Sequence, residues 1–179
     1  MKQYPIKLSQ ASCLLLAVAL TACNGGINSS KGGASSSPTS AAISSSAQVV
    51  KVTAAPVNIS QSTGGDAVIA LSISPGFHIN ANPATFPYLI ATEVTANKLE
   101  GINVGAPVYP AAVKRKFQFA EQPLAVYEGE ASIKLNLRAE ANAATGRKSL
   151  PINVRVQACD EEQCFPPATI NTTIPVTLQ

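Results

Sequence analysis

From Val49 to the C-terminus the chain alternates apolar and polar residues with a period of two, and this pattern limits its possible folds more than any other feature. Ile69, Leu71 and Ile73 alternate with smaller residues. So do Ile133, Leu135 and Leu137, then Leu150, Ile152, Val154 and Val156, and finally Ile174, Val176 and Leu178. Successive side chains of a strand point to opposite faces, so alternation over five or more residues marks strands with one buried face. Gly64-Gly65, Pro75-Gly76, Asn82-Pro83, Glu128-Gly129 and Thr145-Gly146 punctuate the runs as turn signals. Convincing helical periodicity is lacking, and Ala139 to Ala144 offers at most one short turn. About 130 residues with seven to nine short strands predict an all-β domain over 49–179, an immunoglobulin-like antiparallel β-sandwich. The chain has no Trp, so the disulfide-and-Trp core of true immunoglobulin domains is missing and the likeness is one of architecture. A core of this size folds without a covalent staple.

What precedes the domain reads differently. Met1 to Leu20 has a short basic start (Lys2, Lys7) and an apolar run, Ala11 to Leu20. The run is too short to span a bilayer and fits an export signal. The segment ends in L-T-A-C, Leu20 to Cys23, and small residues directly before a cysteine resemble the lipobox of bacterial lipoproteins. That resemblance implies a signal peptide over 1–22, cleavage before Cys23 and acylation of its thiol. An ordinary export signal with a chance cysteine is the plainer alternative. Asn24 rather than Asp after the cysteine resembles the sorting pattern that favours the outer membrane over the inner. Asn24 to Gln48 is Ser, Gly and Ala with almost no charge, and predicts a flexible tether over 23–48. About 25 residues of such coil reach roughly 25–30 Å, enough for an anchored domain to reorient and meet partners.

Of the four cysteines, Cys13 leaves with the signal and Cys23 is consumed by lipid on this reading. Cys159 and Cys164 remain, in R-V-Q-A-C-D-E-E-Q-C-F-P-P, Arg155 to Pro167. Leu150, Ile152, Val154, Val156 and Ala158 share one face of a strand, and Cys159 falls on the other at its end. The D-E-E-Q between the cysteines is too polar for core. Pro166 and Pro167 remove backbone donors from the returning limb. A disulfide at the hairpin's mouth is geometrically easy. Most such pairs in exported domains are structural, yet a loop of about six residues gains only about 2 kcal/mol from closure in the chain-entropy model. A short disulfide at a sheet edge is also the kind that thiols attack. Two readings therefore stand: a reversible redox disulfide, and a binding or assembly module with a purely structural one.

Other chemistries fit poorly. Without Lys2 and Lys7, thirteen basic residues become eleven against ten acidic ones, a net charge near +1 that gives no footprint for nucleic acid. Lys114-Arg115-Lys116 reads as a solvated loop. A metal site needs three or four ligands; the two cysteines and His78, the sole histidine, make part of one, and a metal-binding envelope protein is a further rival. No cofactor and no metal are expected. Asp160, Glu161 and Glu162 beside the sulfurs raise thiol pKa, the reverse of a C-x-x-C at a helix N-terminus.

Q-A-C-x4-C-x-P-P at the end of a β domain resembles the N-terminal periplasmic domain of the thiol:disulfide interchange protein DsbD. S-P-G-F-H-I-N-A-N (Ser74 to Asn82) and V-Y-P…K-F-Q-F-A-E-Q-P-L-A-V-Y-E-G-E (Val108 to Glu130) are similar to two further stretches of that domain. The resemblance implies a cysteine pair that takes electrons from a transmembrane thiol reductase and reduces periplasmic thioredoxin-fold proteins, as a component of a protein-disulfide reductase. It implies that Cys164 forms the mixed disulfide and Cys159 resolves it. His78 and Asn80 are the site-lining positions so implied, and Phe117, Phe119, Glu121 and Leu124 are candidates for a cap loop. Phe117 and Phe119 alternate, so one of them is expected in the core and the other as the shield. A charged His78 near the sulfurs would offset the acidic turn and stabilise a thiolate. This chain has four residues between its cysteines where the enterobacterial protein has five, and His78 and Asn80 where that protein has tyrosines. No reductase or thioredoxin-like segment accompanies the domain in this sequence, so another protein is the expected electron source.

Overall fold

The computed structural model describes residues 43–179; the signal segment, Cys23 and the tether up to residue 42 lie outside the described residues. A 3-10 turn (Ser46–Gln48) leads into twelve strands. These are β1 (Val50–Ala54), β2 (Val57–Ile59), β3 (Gly65–Ile73), β4 (His78–Asn80), β5 (Glu93–Ala96), β6 (Ile102–Val108), β7 (Val113–Arg115), β8 (Leu124–Glu128), β9 (Glu130–Ala139), β10 (Gly146–Val156), β11 (Ala158–Cys159) and β12 (Ala168–Leu178).

Two four-stranded sheets, β1-β3-β9-β6 and β2-β12-β10-β5, make the sandwich. The alternating residues close it. Ile69 and Leu71 of β3, Ile133, Leu135 and Leu137 of β9, Leu150, Ile152 and Val154 of β10 and Ile174 of β12 belong to one buried cluster. β10 pairs with β12 along its whole length, from Gly146 opposite Leu178 to Val156 opposite Ala168. The immunoglobulin-like architecture read from the alternation is therefore what forms, with one parallel pair, β2 on β12. That pair arises because the chain changes sheets between β1 and β2. Pro56 at the crossing has no N–H with which to continue the first ladder.

A third sheet, β11-β4-β8-β7, carries the strand count past the seven to nine expected. It is an outgrowth of both layers. β3 and β9 pair as far as Ser72 opposite Glu130, and the same ladder resumes with His78 of β4 opposite Glu128 of β8. Residues 73–77 bulge on one side opposite Gly129 on the other. Gly76 (φ 83°) and Gly129 (φ 60°) take the left-handed backbone that side chains disfavour. Pro75-Gly76 makes the expected turn, closed by Phe77 N–H donating to the Ser74 carbonyl at 3.1 Å, and the turn sits within the bulge; Glu128-Gly129, also expected as a turn, is instead a bend between continuing strands. From the other layer, β10 ends at Val156 and, after Gln157, β11 pairs with β4. Lys114 and Arg115, expected in a loop, lie in β7, the edge strand of this small sheet.

The domain also begins earlier than Val49. Ser46 is fully buried, and its N–H donates to the Pro166 carbonyl at 3.1 Å. The last residues of the expected tether are therefore part of the fold. Burial is what holds the layers together, so Leu150→Ala should lower unfolding free energy by about 2–5 kcal/mol. Lys134→Ala, on the exposed face of β9, should stay within about 0.5 kcal/mol. Urea midpoints of the two variants check both values.

Candidate functional site

The turn between the cysteines is built by Asp160. Its Oδ1 accepts from the N–H groups of Glu162 and Gln163, each at 2.8 Å, and its own N–H donates to the Gln163 carbonyl at 2.9 Å. Aspartate suits the position because its short side chain mimics a backbone acceptor two residues on. On the other side of the pair, Phe165 N–H donates to the Ala158 carbonyl at 2.8 Å. Between these bonds Cys159 and Cys164 face each other, Cα–Cα 3.9 Å, and are joined as a disulfide. Facing residues come closest at such non-hydrogen-bonded positions of an antiparallel ladder.

The two sulfur-bearing residues differ in burial. Cys159 is 0 % exposed, whereas Cys164 is half-buried. Ala158 points into the main core, and Cys159, its neighbour in β11, points the other way. Register places His78 of β4 directly beside Cys159, and Glu128 of β8 directly beside His78. By the same register Asn80 lies opposite Val126.

Over this face of the small sheet lies a second apolar cluster: Phe117, Ala120, Leu124 and Val126, with Phe86 and Leu89 at its margin. The segment between β7 and β8 forms the cap. Lys116 Nζ fastens it by donating to the carbonyls of Ala120 (2.5 Å) and Glu121 (2.6 Å). The Phe117 ring stacks on His78 with centroids 4.0 Å apart, and Phe119 stacks on Phe117 at 5.4 Å. Phe117 is buried and Phe119 is 42 % exposed, so the rings step outward from the imidazole to solvent. Leu124 lies in β8 rather than on the loop. The Glu121 side chain is exposed, and its backbone carbonyl is what the cap uses.

Asn80 is framework. Its Nδ2 donates to the Ile90 carbonyl (3.1 Å) and to Gln157 Oε1 (3.3 Å), and Gln157 Oε1 also accepts from Ile90 N–H at 3.2 Å. This clasp ties the segment before β5 to the break between β10 and β11. Gln157 stands in the cysteine motif, but nothing in its local sequence marks it as the clasp, because its partners lie 67 and 77 residues away.

His78 is 2 % exposed, and its Nε2 is buried with no hydrogen-bond partner, as is Asn80 Oδ1. Burial pushes the imidazole down from 6.5 to about 4; the Asp160 carboxylate opposes this and Arg115 adds a smaller push the same way. The expected imidazolium is therefore a neutral imidazole at neutral pH, because desolvation outweighs the acidic turn. Arg115 and Glu128 pair at 3.1 Å on the wall of a cleft of about 220 Å³ that also takes in residues 74–78 and Glu161. Among the described residues no group of three or more His, Cys, Asp or Glu is gathered as a metal would need.

The depressed His78 value has a consequence for stability. Unfolded chain binds a proton at His78 below about 6.5, while folded protein resists until about 4. Stability from this residue is thus complete above pH 6.5 and is lost as pH falls toward 4. Urea midpoints of the oxidised protein at pH 7 and pH 4.5 should differ more for wild type than for His78→Phe, by the equivalent of a few kcal/mol. Equal pH dependence of the two would contradict the neutral buried imidazole.

Comparison with known proteins bears on this geometry. A family model described as the N-terminal domain of the thiol:disulfide interchange protein DsbD matches residues 46–175. Among solved structures, the reduced N-terminal domain of DsbD from Neisseria meningitidis is similar at 16 % identity and TM-score 0.47, covering 72 % of this chain and 86 % of that one. The N-terminal periplasmic domain of ScsB from Proteus mirabilis is similar at 14 % identity and TM-score 0.43, covering 72 % of this chain and 45 % of that one. The chain thus spans less than half of the ScsB domain's length. CssB, a subunit of an Escherichia coli colonization factor complemented with a donor strand from CssA, is similar at 14 % identity and TM-score 0.42, covering 74 % of this chain and 99 % of that one. Comparison with curated proteins gives no match. The family match runs nearly the length of the described domain and includes both hairpin cysteines: the chain belongs to the family of DsbD N-terminal domains.

Proposed function

We propose that the domain is a thiol–disulfide exchange protein of the cell envelope, passing reducing equivalents through Cys159 and Cys164 with no bound cofactor. The observation that carries the reading is the uneven burial of the pair, Cys159 sealed and Cys164 half-open, at a site roofed by an aromatic cap. In this reading a donor thiolate attacks Cys164 Sγ, breaking the Cys159–Cys164 bond and releasing Cys159 as a thiolate that takes up a proton. The donor's second thiolate then attacks the mixed disulfide and frees Cys164, leaving the donor oxidised and the domain a dithiol. Toward an acceptor the same steps run in reverse. The Cys164 thiolate opens the acceptor's disulfide, and Cys159 then attacks Cys164 Sγ, releasing the reduced acceptor. Two electrons pass in each exchange, from donor to domain and then from domain to acceptor. His78, cross-strand from Cys159, stays neutral through this cycle, and the Cys159 thiol proton passes through solvent to the acceptor thiolate released in that attack.

The donor is a transmembrane thiol reductase, and the acceptors are periplasmic thioredoxin-fold proteins. The anchor is a lipid on Cys23, with residues 1–22 a cleaved signal, the residues from Cys23 up to the Ser46 turn the leash, and the outer membrane the favoured location. Family membership and the periplasmic setting of the ScsB domain support the compartment; the lipobox-like residues support the anchor. Phe117 and Phe119 serve as the shield that a docking partner displaces.

The roles are tested in the full chain with Cys13 and Cys23 replaced by serine. Cys159→Ala should form a stable mixed disulfide with glutathione disulfide at least about tenfold faster than Cys164→Ala, since thiol reactivity follows access. Equal rates would sink the assignment of roles. Inertness of both native thiols, together with a disulfide that resists reduction, would favour a binding module with a structural bond.

A further inference from the structure

Ser46 is 0 % exposed, although it stands in a stretch whose composition reads as tether. Ser45 caps the turn that presents it, and Gln48 returns the bond in a capping box. The Ser46 hydroxyl donates to the Pro166 carbonyl at 2.8 Å and accepts from Ala158 N–H at 2.9 Å; its own N–H reaches the same Pro166 carbonyl at 3.1 Å. Ala158 immediately precedes Cys159, and Pro166 follows Cys164 by two residues. One side chain, more than a hundred residues away in sequence, therefore bridges both limbs of the cysteine hairpin. It does so where the hairpin is weakest, since Pro166 and Pro167 have no N–H to pair across. Three residues on, the Val49 carbonyl accepts from Ser74 N–H at 2.9 Å, so the same segment also braces the bulge that leads to His78.

We infer that Ser46 is a positioning residue for exchange at Cys159–Cys164, and that docking of the N-terminal turn is coupled to the redox state of the pair. The inference rests on the reading of that pair as a working couple. The disulfide and the Ser46 clamp close the same two limbs, one covalently and one by hydrogen bonds. Each lowers the ordering cost of the other, and the coupling is reciprocal. The clamp stabilises the disulfide relative to the dithiol by keeping the two sulfurs together. Reduction, in turn, loosens the hold on the turn, at the point where the leash joins the domain.

The test uses the full chain with Cys13 and Cys23 replaced by serine, equilibrated against reduced and oxidised glutathione. Ser46→Ala should favour the dithiol by about three- to tenfold, which is a shift of about 15–30 mV toward less negative potential. Lys134→Ala, on the exposed face of β9 and outside both the turn and the hairpin, should leave the equilibrium within about twofold of wild type. In the unsubstituted clamp, amides of residues 46–49 should exchange faster in the dithiol than in the disulfide, a readout that stands even if Ser46→Ala does not fold. If wild type exchanges with glutathione while Ser46→Ala matches it and amide exchange is the same in both states, the clamp is merely structural and the inference fails alone. If the wild-type disulfide does not exchange at all, the exchange reading fails and the inference with it.

Discussion

The whole site depends on where one strand changes sheets. Up to Val156, β10 pairs with β12, and over Ile152 to Arg155 also with β5; at Gln157 the ladder ends, and two residues later Cys159 is paired with His78 in a different sheet. Gln157 holds that change with a single carbonyl oxygen, which accepts from Asn80 and from Ile90 N–H. A buried break in a strand leaves polar backbone to satisfy; the Ser46 hydroxyl takes the Ala158 N–H, while the Gln157 side chain fixes the segment on the far side. The other half of the small sheet is delivered by Gly129 and the bulge at 73–77, which carry β8 and β4 out of the first layer together. The cysteine pair thus stands on an outgrowth rooted in both layers and held by Ser46 at the Pro166-Pro167 limb.

Within that frame the local physics runs against charge. The hairpin turn carries Asp160, Glu161 and Glu162, but Asp160 is spent on building the turn, and the imidazole beside Cys159 is kept neutral by burial. The two sulfurs thus sit in unlike surroundings, one buried beside a neutral imidazole and one half-buried beside an acidic turn. The cap adds to the difference. Phe117 lies flat on His78, and the outer ring, Phe119, is exposed to solvent.

Much of this was legible in the chain. Period-two alternation located the long strands, because one buried face per strand is a local property; the opposite facing of Ala158 and Cys159 followed from the same rule. The cysteine motif and its flanking stretches pointed to the family. What local sequence could not show were arrangements fixed by distant partners. Glu128-Gly129 looks like a chain reversal until it is seen opposite the turn at Pro75-Gly76 in a single ladder. Ser46 sits among serines and glycines, and only its bonds to Ala158 and Pro166 distinguish it from leash. Asn80, a candidate lining residue, also bonds Ile90 and Gln157, partners its local sequence does not mark. The charge state of His78 turned on how deeply Phe117 covers it, which spacing alone cannot give.

The most direct measurement is the reduction potential of the Cys159–Cys164 pair in the full chain with Cys13 and Cys23 replaced by serine. An exchange couple requires a value of roughly −180 to −270 mV, within reach of thioredoxin-fold partners. A value below about −300 mV, with thiols unreachable in the native fold, is that of a fixed structural bond and would contradict the proposed chemistry.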